Sequence, residues 1–259
     1  MNVPSMAEMI AQEKQPEVLF WVGAAGSYDE RAKKISRAFV KILHQANVDF
    51  AVLGTEESST GDTAKRAGNE FLFQMQAMMN IEILNGYNVK KIVTCDPHSF
   101  NTLKNEYPSL GGNYEVYHHT QFIQNLISEG RLIINDTTLK GKKITFHDPC
   151  YLGRANEEYE SPRNLIRRLG VNLKEMKRNK SSALCCGAGG AQMFKDAEKG
   201  TKEINVLRTE DALETKPDII ATGCPYCNTM MTDGVKFKEK EAEVLVKDIA
   251  ELIAEANHL

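Results

Sequence analysis

With 259 residues, 42% of them hydrophobic and 26% charged, the chain has the make-up of an ordinary globular protein. It is long enough for one large core or two domains of about 130 residues. A net charge of −3 leaves no excess of positive charge for nucleic acid or an anionic membrane, and no apolar run nears the ~18 residues of a membrane span. The opening Met-Asn-Val-Pro-Ser-Met-Ala-Glu-Met-Ile lacks the basic and apolar regions of a secretory leader. The reading is therefore a reducing cytoplasm, where six cysteines serve metal binding or catalysis more often than disulfides.

In chain order, short apolar runs over 18–22, 50–53, 91–94 and 114–117 read as strands, and so do 144–147, 173–176, 219–222 and 243–246. Amphipathic stretches over 29–45, 64–84, 120–127, 162–169, 197–213 and 248–254 lie between or after them. Strands separated by helices of this length predict parallel βαβ units.

The two halves of this list superpose. Asp96-Pro97-His98-Ser99 lies 128 positions before Cys224-Pro225-Tyr226-Cys227 (224 − 96), and Glu115-Val116 lies 128 before Glu243-Val244 (243 − 115). On that register Thr120 and Asp248 cap equivalent helices. Ser58-Ser59 falls 127 before Cys185-Cys186 (185 − 58), and Gly23-Ala-Ala-Gly26 falls opposite Asp148-Pro-Cys-Tyr151. The fold class is thus α/β, built as two tandem, duplicated parallel-sheet modules over 1–136 and 137–259.

Five of the six cysteines belong to the second module: Cys150, the adjacent pair Cys185-Cys186, and Cys224-Pro-Tyr-Cys227. Each has glycine or proline beside it, which predicts loops, and each follows a predicted strand, so in a parallel sheet the thiols meet at one edge beside helix N-termini. Partial positive charge and free N–H groups there stabilise thiolates. Gly187, Gly189 and Gly190 let backbone approach sulfur, Arg154 offers a nearby cation, and His147 is placed to hydrogen-bond a sulfur or to end its strand. Matched positions of the first module carry Ala, Ser or Asp. Cys95 matches Gly223 and reads as a small buried residue at a strand end.

Five thiols on three segments point to a metal-cluster cage. They overfill a structural zinc site of four ligands, and a redox CxxC alone would leave three cysteines without a role. Zinc and dithiol chemistry stay as the competing readings. The ferredoxin run of closely spaced cysteines is absent.

Phe146-His-Asp-Pro-Cys-Tyr-Leu-Gly-Arg154, Leu184-Cys-Cys-Gly-Ala-Gly-Gly190 and Thr222-Gly-Cys-Pro-Tyr-Cys227 resemble the cysteine-rich "CCG" domain. This domain occurs in heterodisulfide reductases, in iron–sulfur subunits of glycolate, glycerol-3-phosphate and lactate oxidases, and in related electron-transfer-flavoprotein:quinone oxidoreductases. Phe100-Asn-Thr-Leu-Lys-Asn-Glu-Tyr-Pro108 in the first module is also family-like, so the resemblance covers nearly the whole chain. It implies one [4Fe–4S] centre, of cubane or non-cubane type, held by Cys150, Cys185, Cys186, Cys224 and Cys227. Ser58, Ser59, Asp96 and Ser99 stand where a second set of cysteines is expected, which speaks against a second centre.

The implied function is an oxidoreductase subunit that relays electrons between a flavoprotein or ferredoxin-type partner and a further acceptor such as a quinone. It needs no membrane span and no nucleic acid, and a partner can hold it on the inner face of the membrane. The competing functions are reduction of a disulfide at the cluster, as in heterodisulfide reductases, and a zinc-bound scaffold without redox chemistry.

Overall fold

The computed structural model describes residues 3–134, 138–196 and 199–259. In the first half α1 (Met6–Ala11) leads into β1 (Val18–Trp21), α2 (Gly23–Tyr28), α3 (Ala32–Gln45) and β2 (Phe50–Ala51). Then come α4 (Asp62–Arg66), α5 (Glu70–Gly86), β3 (Lys91–Thr94), α6 (Pro97–Asn101), β4 (Glu115–His118) and α7 (His119–Ser128). The second half runs β5 (Lys143–Phe146), α8 (Cys150–Asn156), α9 (Glu160–Arg168), β6 (Asn172–Leu173) and α10 (Ile204–Leu213). It ends with β7 (Ile219–Thr222), α11 (Pro225–Phe237), β8 (Leu245–Asp248) and α12 (Ile249–Glu255).

Both sheets are parallel and share one strand order, β2-β1-β3-β4 and β6-β5-β7-β8. Strands β1 and β7 are buried along their whole length, as in sheets covered by helices on both faces. The duplicated α/β architecture expected from the sequence is present. The expected division between residues 136 and 137 lies outside the described residues, as does the start of the helix expected over 197–213, which is described from Ile204 as α10.

Some local expectations change. The stretch 64–84 is broken into α4 and α5 by Gly68, at φ +88°, and by Asn69, whose side chain caps α5 by accepting from the Leu72 amide at 3.0 Å. Residues 29–45 start a helix only at Ala32, whose amide donates to Asp29 Oδ1 at 2.7 Å. The repeat register also slips at its last strand. Lys91 pairs with Glu115 and Ile219 with Leu245, so Glu115 matches Leu245 (245 − 115 = 130) and not Glu243. His118, not Thr120, is then the N-cap of α7 and the match of Asp248. The cause is a connection from β7 to β8 two residues longer than that from β3 to β4.

The halves share a core. α3 packs on α12 and α7 on α9, and this helical layer merges Phe39, Leu43 and Phe122 with Phe146, Ile166 and Ile253 in one buried cluster. Charged groups cross the joint as well. Arg31 grips Glu251 at 2.9 and 2.7 Å, and His119 Nε2 meets Asp248 Oδ1 at 3.0 Å with both side chains fully buried.

Ile253→Ala should therefore cost about 2–5 kcal/mol. Hydrogen exchange should quicken in β1 as well as in β5; acceleration confined to the second sheet would show that the halves fold apart.

Candidate metal centre

The centre is organised by the turn after β5. His147 extends the sheet by donating its amide to Ala221 O at 2.9 Å. Asp148, 3% exposed, is held by Arg163 Nη1 and Nη2 at 2.7 and 2.9 Å and accepts from the Lys180 amide at 2.9 Å. Arg163 is fully buried and also takes both oxygens of Glu175, at 2.8 and 2.9 Å. A buried ion pair adds little net stability but is costly to break on one side, so the turn is fixed. Pro149 then forms the N-cap of α8, and Cys150 is its first residue.

A second helix start carries two more thiols. Cys224 is the N-cap of α11, with Pro225 in the first turn, and its Sγ accepts from the Cys227 amide at 3.5 Å. Proline at this position has no amide to leave unpaired and a φ already suited to the helix. The expectation that all five thiols sit on loops thus holds for Cys185, Cys186 and Cys224, while Cys150 and Cys227 lie in first helical turns. The prolines read as breakers in fact begin helices. The Cys185 sulfur accepts from the Gly187 amide at 3.3 Å, and Gly187 has φ +95°, a conformation that side chains rarely adopt.

All five cysteines are free and form one connected group. Cys150 and Cys186 both hydrogen-bond Cys185, Cys186 and Cys227 have their sulfurs 3.4 Å apart, and Cys227 closes on Cys224. Hydrogen bonds from Cys150 and Cys186, helped by the Gly187 amide, pull the Cys185 thiol far below its ordinary range against the effect of burial. The bonds to Cys185, together with burial, push the thiols of Cys150 and Cys186 up. Bonds to Cys186 and Cys224, with burial, do the same for Cys227.

His147 adds a sixth donor. Its nitrogen lies with the sulfurs of Cys186 and Cys227 in a group whose atoms are all within 4.8 Å. Its Nδ1 accepts from Arg208 Nε at 2.9 Å, while Nε2 is buried with no hydrogen-bond partner among the described residues. Burial and the adjacent guanidinium lower its pKa to about 3, so the ring is neutral. Arg154 is not aimed at sulfur; its Nη1 donates to Ala183 O at 2.7 Å and ties α8 to the segment leading into Cys185. Gly189 lies against the His98 ring, and Gly190 has φ +67°. Cys95 is 3% exposed within the hydrophobic cluster, and burial raises its pKa.

The first module fills its matching helix starts with its own carboxylates. Asp96, the match of Cys224, caps α6 by accepting from the amides of His98 and Ser99 at 3.0 and 3.1 Å and from Ser99 Oγ at 2.8 Å. Glu57 accepts from the amides of Val22 and Gly23, at 2.9 and 2.6 Å, where α2 begins. Ser58 donates to Asn80 Oδ1 at 2.8 Å, and Ser59 Oγ accepts from the Gly61 amide at 3.2 Å. This module also braces the thiol group. His98 stacks on Tyr151 at 4.3 Å and meets the edge of Tyr226 at 5.7 Å, residues next to Cys150 and between Cys224 and Cys227.

The arginines went unread in the sequence, although a signal was there. Arg208 lies on the same helix stripe as Asn205, Thr209 and Ala212, all buried in α10; a cation on the inner stripe of a helix needs a partner there. The donor set fits an iron–sulfur group better than zinc: five thiols, with one amide in the first turn of α11 and one glycine amide aimed at sulfur.

The chain belongs to the CCG cysteine-rich domain family, matching its model twice, over residues 18–104 and 144–232. It is 49% identical over 256 residues to the probable iron-sulfur-binding oxidoreductase FadF of Bacillus subtilis, which covers 98% of this chain and 36% of that protein. It is 42% identical over 262 residues to the EtfAB:quinone oxidoreductase of Syntrophomonas wolfei, again 98% of this chain and 36% of that protein. A subunit of the dihydromethanophenazine:CoB–CoM heterodisulfide reductase of Methanosarcina barkeri is 32% identical over 255 residues, covering 94% of this chain and 60% of that subunit. The chain therefore spans between about a third and three fifths of the length of these relatives.

The brace can be read by pH. Burial disfavours the His98 cation, but the Asp62 hydrogen bond at 2.9 Å and the charges of Asp96 and Asp62 outweigh it and raise its pKa to about 9. A histidine whose pKa rises on folding contributes most below its unfolded value of about 6.5. The stability lost in His98→Gln should be largest at pH 6 and shrink as pH rises through about 9. A urea series showing a pH-independent loss would remove the His98 cation from the account.

Proposed function

We propose that the chain is the iron–sulfur electron-transfer module of an oxidoreductase, with one [4Fe–4S] centre on Cys150, Cys185, Cys186, Cys224 and Cys227. Electrons pass between a flavoprotein or ferredoxin-type partner and a further acceptor such as a quinone. The observation that carries this reading is the single connected group of five free thiols, three at the starts of α8 and α11 and two on the loop of Cys185 and Cys186. The relatives named as an iron–sulfur-binding oxidoreductase and a quinone oxidoreductase agree with it. An iron–sulfur centre takes up and releases single electrons at a potential set by its hydrogen bonds and exposure. The protein's share is to supply thiolates, direct N–H groups at sulfur and keep water out. Placement is on the cytoplasmic side, where a partner can hold the chain to a membrane; among the described residues no helix is long and apolar enough to cross one.

Access bears on the choice between relay and reaction site. A cavity of about 190 Å³ lies between the halves, lined among others by Ser58, Asp96 and His98 on one side and Gly189, Gly190 and Tyr226 on the other. Among the described residues no cysteine lines it. A disulfide reduced at the centre must bring its sulfur to a metal or a thiol; from this cavity it meets Gly189 and Tyr226 first, while Cys150 and Cys185 are half-buried. This supports the relay.

Anaerobic purification should give about four irons and matching labile sulfide per chain, with an EPR signal on reduction. Cys224→Ala should lose them, and Cys95→Ser should keep them. Stoichiometric zinc without sulfide would sink the reading.

Isolation from native cells should recover a flavoprotein or ferredoxin-type redox component at fixed ratio. Recovery of free monomer that turns over a disulfide unaided would replace the relay with a self-sufficient reductase.

A further inference from the structure

We infer that His147 is a hydrogen-bond donor to the sulfur centre, fixed in that tautomer by Arg208, and not a metal ligand. The inference rests on the iron–sulfur reading above for its consequence, but not for its geometry. Arg208 Nε stands 2.9 Å from His147 Nδ1. A guanidinium nitrogen only donates, so Nδ1 is the acceptor and carries no proton. The neutral ring has one N–H, and it must be on Nε2. A doubly protonated ring would set two N–H groups against each other across that distance, which the geometry forbids.

Arg208 cannot easily turn away. It is fully buried, its Nη1 donates to Arg178 O at 2.7 Å, and it faces Asp211, itself 2% exposed and gripped by Arg178 at 2.7 and 2.8 Å. The ring is equally confined, because His147 is wholly buried and its amide continues the sheet.

The Nε2–H has no hydrogen-bond partner of any kind among the described residues, and a nitrogen of the same ring lies within 4.8 Å of the sulfurs of Cys186 and Cys227. Leaving a buried donor unpaired is unfavourable, and the sulfur centre is the acceptor that the ring's surroundings offer it. A histidine that merely ended its strand would not need this arrangement. One that ligated metal would need the Nε2 lone pair, and Arg208 already occupies the other nitrogen. A donor aimed at sulfur withdraws electron density from the centre and favours its reduced state.

Two measurements separate the tautomer from its consequence. In the metal-free protein under reducing conditions, nitrogen NMR of histidine-labelled chain, assigned with His147→Gln, should show His147 protonated on Nε2. Arg208→Met should release that preference. A proton on Nδ1 in the wild type overturns the inference whatever metal the protein holds.

In the loaded protein, His147→Leu should keep its iron but shift the reduction equilibrium about tenfold towards the oxidised state. That is about 59 mV lower for a one-electron couple. His147→Gln, whose amide can donate from a similar place, should recover most of the shift. Loss of iron from both variants, with the Nε2 proton absent from the wild type, would make His147 a ligand. Zinc in place of iron would remove the iron–sulfur reading while leaving the tautomer to be decided by NMR.

Discussion

A helix that starts at the carboxyl edge of a parallel strand leaves N–H groups without partners and a partial positive charge, and something anionic must face them. Both halves of this protein meet that requirement at corresponding places, with different chemistry. In the first, Asp96 and Glu57 supply carboxylates to α6 and α2. In the second, Cys224 and Cys150 bring sulfur to the starts of α11 and α8. A carboxylate ends the matter locally, because its oxygens are satisfied by the amides it caps. A thiolate does not, since sulfur is a weak acceptor and keeps valence for metal. The same backbone thus yields a closed cap in one half and an open donor group in the other.

Without thiols of its own at these places, the first module has structural work. The shared helical layer commits both sheets to one core. His118 Nε2 meets Gly223 O at 3.0 Å directly before Cys224, and His98 braces the tyrosines flanking Cys150 and Cys224. Contacts from the first half therefore reach all three thiol segments, since Gly189 also lies against His98. A second module alone would lack these braces, and its thiols would be ordered by its own buried arginines and by metal. That arrangement ties binding free energy to folding.

The duplication, the order of strands and helices along the chain and the five thiols were legible because each rests on local pattern: apolar runs, prolines, cysteine spacing. Glu115 misled because a coincidental Glu-Val at 243 mimicked it while the true match, Leu245, lies two residues on. Pro225 and Pro149 misled because proline signals an interruption and a helix start alike. The roles of Arg163 and Arg208 were not legible. Their partners, Asp148 and His147, lie 15 and 61 positions away, and nothing in sequence reports which carboxylate or imidazole a buried guanidinium will find. Arg154 failed for the same reason, being spent on the Ala183 carbonyl.

The buried arginines explain how a site with crowded sulfur stays open before metal arrives. Five crowded sulfur groups attract one another weakly, and apolar neighbours such as Met230 and Ala188 press on them from outside. Left to themselves, such groups would be free to collapse or to oxidise to a disulfide. Arg163 holds Asp148 and Arg208 holds His147, so two consecutive residues before Pro149-Cys150 are clamped from opposite helices, α9 and α10. Guanidinium groups suit this because their planar fork keeps its charge and loses little freedom per bond. The clamp therefore fixes the cage geometrically through two side chains, Arg163 and Arg208, that lie one step behind the residues before Cys150.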